Sequence, residues 1–199
     1  MNTLIIFDHP YTAEAHRNEP HNRSFCAAVC KALIESEIAK GNSVDLIDLH
    51  VDGFDPVMSA EDLKNWRQGI PMNGQVADYQ RRIAEAERIA FIFPIWWELM
   101  PAMTKGFIDK VYAKGILYDQ PDKGPMRTKL DRKKQIAVFT VMGSPKFIYN
   151  TIFGKPVIKA LQRGTFMKTG LKHFIWKSYS QVDELDLKER QNLLDTVSF

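Results

Sequence analysis

Residues 92–101 read IFPIWWELMP. An apolar, strand-like run meets a proline, then two adjacent tryptophans, an acid and a second proline. The run from Arg88 to Phe93 is short and continuous, the pattern of a strand buried on both faces. Pro94 stops regular strand pairing and turns the chain, so Ile95-Trp96-Trp97 falls in a turn. Pro101 suits the first turn of a helix, which runs to Lys114. The stretch is thus the junction of a strand–turn–helix unit, which raises the question of whether the unit recurs.

It does recur. Leu4 to Phe7 is a buried-strand pattern closed by Asp8-His9-Pro10, and Val44 to Leu49, Ile136 to Val141 and His173 to Tyr179 are three more. Between them lie helical patterns. Asn22 to Lys40 puts Phe25, Val29 and Leu33 on one face, with Asn22 or Ser24 as cap and Gly41-Asn42 as stop. Gln75 to Ala86 is a helix, Ile148 to Gly170 contains helical pattern, and Asp186 to Thr196 closes the chain. Asp55 to Gly74 reads as a loop with a short helix. The connections 50–74 and 115–134 exceed ordinary loop lengths, which is common where a loop is functional. Alternating strands and helices predict an α/β fold. The expectation is one domain over residues 1–199, a flavodoxin-like, doubly wound three-layer sandwich. Its five-stranded parallel sheet has the order 2-1-3-4-5, and its ligands bind outside the carboxyl ends of the strands.

The bulk numbers narrow the class. With 199 residues, 45% of them hydrophobic, the chain can bury a substantial core. A net charge of +3 is too small to argue for nucleic acid. Cys26 and Cys30 make no disulfide framework and read as small core residues. The start, Met1-Asn2-Thr3, has no secretory pattern, and the longest apolar run, Ile89 to Trp97, is broken by Pro94 and is about half a membrane span. A cytoplasmic protein without membrane insertion is expected. A dinucleotide G-x-G-x-x-G, a phosphate P-loop, a G-x-S-x-G elbow and an H-E-x-x-H pair are all missing, and no metal site is expected.

Three strand ends are unusual, and the switch-point rule points them at one crevice. The first is Asp8-His9-Pro10 with His21, Arg23, Ser24 and Phe25, where a helix start and basic donors suit an anion. An ordinary capped helix fits the same residues. The second is Phe93 to Glu98, where free backbone and flat tryptophan walls suit a heteroaromatic ring; core or interface anchoring is the alternative. The third is Val141-Met142-Gly143-Ser144-Pro145 with Tyr149, where glycine admits close backbone approach or simply makes a strand-to-helix loop.

The stretch from Phe93 to Val111 resembles the signature of the flavodoxin-like NAD(P)H:quinone oxidoreductases of the DT-diaphorase type, F-P-[LI]-x-W-x-x-x-P-A-x-[LM]-K-G-[WF]-[IFL]-[DE]-[RK]-V. Pro94, Trp97, Pro101, Ala102, Lys105, Gly106, Asp109, Lys110 and Val111 match. Ser24-Phe25 is similar to the family's S-x-S-F-[NT] segment, and Gly143-Ser144-Pro145 with Tyr149 to its T-T-G-[AG]-x-x-x-x-Y loop. The resemblance implies a homodimeric enzyme that holds FMN, with FAD as the alternative, and reduces a quinone or similar acceptor with NAD(P)H by ping-pong hydride transfer. By the same resemblance, His9 or His21, Arg23, Ser24 and Phe25 lie at the flavin phosphate. Pro94, Ile95, Trp96, Trp97 and Glu98 border the ring, with Met142, Gly143, Ser144 and Tyr149 opposite. Tyr149 is the implied proton donor, Trp97 flanks the substrate, and Tyr118 reaches the partner subunit's site.

The chain departs from the family at several points. Val141 and Met142 stand for the two threonines, Cys26 for the asparagine or threonine, and about ten extra residues separate His9 from Ser24. The catalytic histidine of the mammalian enzymes has no counterpart after Tyr149. A regulatory subunit that keeps the fold, for example of a potassium-efflux system, is the alternative reading.

Overall fold

The structure is a computed structural model and describes residues 1–17 and 24–199. In chain order the elements are β1 (Asn2–Phe7), a 3-10 turn (Ala13–Arg17), α1 (Phe25–Ala39), β2 (Ser43–Asp48), α2 (Ala60–Gln68), α3 (Gly74–Glu85), β3 (Arg88–Pro94) and α4 (Ala102–Val111). There follow β4 (Tyr118–Asp119), β5 (Arg127–Thr128), β6 (Gln135–Met142), α5 (Lys146–Thr151), α6 (Pro156–Lys159), a π-helical stretch (Ala160–Met167), β7 (His173–Ser180) and α7 (Leu187–Asp195). The main sheet has the order β2-β1-β3-β6-β7, all neighbours parallel. Counted among the sheet's own strands, this is the expected 2-1-3-4-5.

The pleat sorts each strand's apolar residues into two cores. Leu4, Ile6, Ile89, Phe91, Phe93, Ile136 and Val138 face one side and pack with Val76, Tyr79 and Ile83 of α3 and Phe107 and Val111 of α4. Ile5, Phe7, Ala90, Ile92, Ala137 and Phe139 face the other and pack with Phe25, Val29 and Leu33 of α1, while Leu193 and Leu194 of α7 rest on that core. Double-sided burial is why these strands read as unbroken apolar runs. At the sheet's amino end the fully buried Glu37 takes bonds from Thr3 Oγ1 (2.8 Å), Asn42 Nδ2 (2.9 Å) and Arg88 Nη1 (2.9 Å). Gly106 on α4 lies against the connection from β2: a Cβ there would meet Pro56 at 2.4 Å, so only glycine admits that contact.

Some expectations need correction. Pro94 does not end the pairing: it is the last residue of β3 opposite Val141, and Ile95 N still donates to Val141 O (2.8 Å). A proline on a strand lacks one donor but can still lead its neighbour into the ladder. Pro101 is the cap of α4, not a residue of its first turn, and α4 ends at Val111. Ser24 caps α1, its Oγ accepting from Ala27 N (3.2 Å); Asn22 lies outside the described residues. The long 115–134 connection contains the β4–β5 hairpin.

Candidate active site

Strands β1, β3 and β6 are parallel neighbours, so their carboxyl ends emerge side by side. The end of β1 is closed by Asp8, which is buried. Its Oδ2 accepts from Thr104 N (2.7 Å) and Thr104 Oγ1 (2.6 Å), and its Oδ1 accepts from His50 Nε2 (3.1 Å). Asp8 thereby ties β1 to the start of α4 and to the exit of β2. Next to it, the half-buried His9 turns Nδ1 to accept from Tyr11 N (3.1 Å). Burial holds its imidazole below the ordinary value of 6.5, against the opposing pull of Asp8. Ser24 and Phe25 start α1 beneath this end, and the Phe25 ring meets Tyr179 edge-on at 5.7 Å. His21 and Arg23, the other expected members of the anion site, lie outside the described residues.

The end of β3 is a two-residue turn. Trp96 and Leu99 exchange both backbone bonds, Trp96 N to Leu99 O at 3.0 Å and Leu99 N to Trp96 O at 2.9 Å. Trp97 (φ 49°) and Glu98 (φ 63°) between them are both left-handed. Two consecutive positive φ values are the geometry of a type I′ turn, which normally takes Asn and Gly. A tryptophan and a glutamate there store strain of the kind concentrated at functional sites. The turn presents Trp97 outward, 97% exposed.

The end of β6 completes the constellation. Ser144 Oγ donates to Glu98 Oε1 (2.9 Å), while Glu98 Oε2 is buried without a partner among the described residues. Gly143 is exposed, and a Cβ added to it would meet open space, so the protein's own packing does not require glycine there. Met142, Ile95 and Tyr149 form a small apolar cluster against Trp176. Tyr149 is fully buried and its hydroxyl points to Glu98 O at a long 3.5 Å. Burial, helped by the Glu98 charge and opposed by the Val157 backbone, pushes its phenol up to about 12. It is therefore a protonated donor at neutral pH, and in this placement it serves the turn.

The second and third expected strand ends therefore meet through Ser144, Glu98 and Tyr149, and the first adjoins them through β1. Tyr118 stands apart. Its ring is buried and stacks on Tyr112 (5.5 Å, 22°), facing a cavity of about 340 Å³ shared with Trp66 and Met126. Cys26 and Cys30 are buried core residues as expected, and burial pushes the Cys30 thiol up to about 12. Among the described residues no cluster fits a metal ion, and no helix is long and apolar enough to cross a membrane.

Sequence reasoning overlooked two groups. Tyr179 lies against Phe25, and its hydroxyl is buried with no partner among the described residues. Thr104 occupies the position where the family pattern has Leu or Met, and its hydroxyl goes to Asp8. That departure was visible in the sequence; its partner, 96 residues away, was not.

Comparison with known proteins gives consistent results. The model of a family described by its flavodoxin-like fold matches residues 1–193. A Haemophilus influenzae protein named "Uncharacterized NAD(P)H oxidoreductase" is 28% identical over 197 residues, 98% of this chain and 91% of its own. Mouse ribosyldihydronicotinamide dehydrogenase [quinone] is 28% identical over 150 residues, covering 64% of this chain and 59% of its own. Among solved structures, Smu.1420 from Streptococcus mutans superposes with a TM-score of 0.80 at 26% identity, covering 99% of this chain and 96% of its own.

Proposed function

This chain belongs to the flavodoxin-like fold family, and from that premise we propose that it is a flavin-dependent NAD(P)H oxidoreductase that reduces a quinone or a similar small acceptor. The observation that carries the reading is the strained Trp97–Glu98 turn, fixed by Ser144 beside the open Gly143 at adjoining strand ends. The names of the Haemophilus influenzae and mouse relatives point to the same chemistry.

The residues fit a flavin, and the family resemblance makes it FMN, with FAD the alternative. Space above Gly143 lets a flat ring approach the backbone, and the unpartnered Glu98 Oε2 is an acceptor for a ring N–H. The first backbone N–H groups of α1, next to the Ser24 cap, are donors of the kind that hold a phosphate, and the Tyr179 hydroxyl is a further donor on that side. A flavin held here would supply the hydride chemistry of a ping-pong reaction between NAD(P)H and the acceptor. The chain's own residues position and shield it. Trp97 forms one wall of the acceptor slot, Ile95 and Met142 keep its floor apolar, and Tyr149 holds the turn from below. Trp97, Leu99, Phe147, Ile152 and Phe153 are exposed apolar side chains, surface of the kind a second copy covers, and this supports a homodimer as part of the reading.

The test is the visible spectrum of the protein supplied with FMN, followed through anaerobic NADPH and then menadione. A flavin band that bleaches and returns supports the reading. Failure of both FMN and FAD to bind ends it.

A further inference from the structure

The charge of this chain is unevenly placed. Between Asp131 and Asp183 there are ten Lys and Arg residues and not one Asp or Glu, although the whole chain carries 27 basic and 24 acidic residues. The slight basic excess is therefore the sum of an acidic remainder and one strongly basic segment. That segment runs from the turn before β6 through β6, α5, α6 and the π-helical stretch to the edge strand β7.

The fold gathers part of this charge around one cavity of about 290 Å³, lined by Asn150, Lys155, Lys159, Gln162, Arg163 and Trp176 among others. Trp176 is fixed by its indole N–H, which donates to Thr140 Oγ1 (3.0 Å). The Lys155 and Lys146 ammonium groups lie 5.6 and 5.7 Å from its ring centroid. Among the described residues no carboxylate pairs with Lys146, Lys155, Lys159 or Arg163, and none lines the cavity. A Cβ at Gly154 would lie 3.2 Å from Lys159 Nζ, so the glycine leaves that ammonium room. Asn150 Oδ1 is buried and has no partner among the described residues.

Like charges held together without a counter-ion repel, and a multivalent anion relieves that repulsion. Each of the two ammonium groups has the indole ring as its neighbour, a weak contact that phosphate oxygens readily replace with charge-assisted bonds. The unpartnered Asn150 oxygen adds an acceptor, which a phosphate does not use but an exocyclic amine does. Phosphate plus amine is the chemistry of a phosphorylated adenosine. The cavity also adjoins the candidate site, because Trp176 packs on Tyr149 with ring centroids 6.0 Å apart. We infer that this basic cavity binds the 2′-phosphoadenosine end of the electron donor and so selects NADPH over NADH; the inference rests on the oxidoreductase reading above.

The test uses the full-length protein, the double variant Lys159→Glu/Arg163→Glu, and two probes, adenosine 2′,5′-bisphosphate and 5′-AMP. Both substituted residues are exposed, and an unchanged circular-dichroism melt establishes that the variant is folded. Calorimetry on the wild type is expected to give the bisphosphate an affinity about tenfold or more above that of 5′-AMP, weakening with salt. In the double variant that preference disappears and KM for NADPH rises about tenfold, a change of about 1.4 kcal/mol, with kcat and KM for NADH within about twofold. Unchanged bisphosphate binding and unchanged KM for NADPH in the folded variant would overturn the inference and leave the oxidoreductase reading intact. Bisphosphate binding that the variant loses, in a protein that oxidises neither nucleotide, would support the cavity as a phosphoadenosine site while removing the enzyme reading.

Discussion

At the carboxyl end of β1, Asp8 is 1% exposed and accepts from Thr104 N, Thr104 Oγ1 and His50 Nε2. One strand away, at the end of β3, Glu98 accepts from Ser144 alone and buries its second oxygen without a partner among the described residues. Asp8 follows a regular strand; Glu98 sits on strained backbone. A buried carboxylate with three of its about four acceptor sites used inside the fold stabilises it and leaves little for a ligand. A half-used carboxylate on strained backbone costs stability, and such a cost persists where a ligand recovers it. The two acids thus differ in what they leave free: Asp8 is tied into the fold, and Glu98 keeps an acceptor without a partner among the described residues.

The sharpest way to break that contrast is Asp8→Ala. It strands the buried N–H and O–H of Thr104, and a loss of about 3 kcal/mol or more is expected in urea unfolding. A loss below about 1 kcal/mol would mean that Asp8 is not the structural tie described. Glu98→Ala is expected to move stability by no more than about 1 kcal/mol, because the lost Ser144 bond is offset by removal of an unpartnered oxygen. Its effect belongs in FMN affinity, lowered about tenfold by fluorescence titration; a variant that binds FMN normally but unfolds easily would exchange the two acids' roles. The smallest effect concerns His9, beside Asp8. Its folded pKa lies below the unfolded value near 6.5, so between the two the unfolded chain binds more protons. Stability should therefore rise with pH through that window and be lost on acidification below about 6.5. His9→Asn removes this component, so a pH–stability profile unchanged by the substitution would argue against a buried neutral imidazole.

Much of this molecule was legible because the signals were local. Double-sided burial makes β1, β3 and β6 apolar without interruption, and the alternation with helices then leaves few topologies. The helix starts at Ser24 and Asp186 are capped as those residue types suggest, Asp186 with a full capping box. Pro94 misled because a proline's missing donor is a property of one residue, whereas its tolerance depends on which neighbour faces it. The β4–β5 hairpin was missed for a related reason: strands of two residues each are too short to leave a periodic trace.

The sequence alone determined the strand order, the two-faced core and the identity of the three strand ends, since periodicity and motif depend on neighbours a few positions apart. Only the tertiary structure decided that Glu98 meets Ser144, that Thr104 closes on Asp8, and that Lys155, Lys159 and Arg163 share a cavity with Trp176. Glu98 and Ser144 stand 46 residues apart and Thr104 and Asp8 stand 96 apart, and no local pattern records which of many polar groups will be brought within 3 Å of another. That pairing is set by packing of whole layers, which fixes where each strand ends relative to the next.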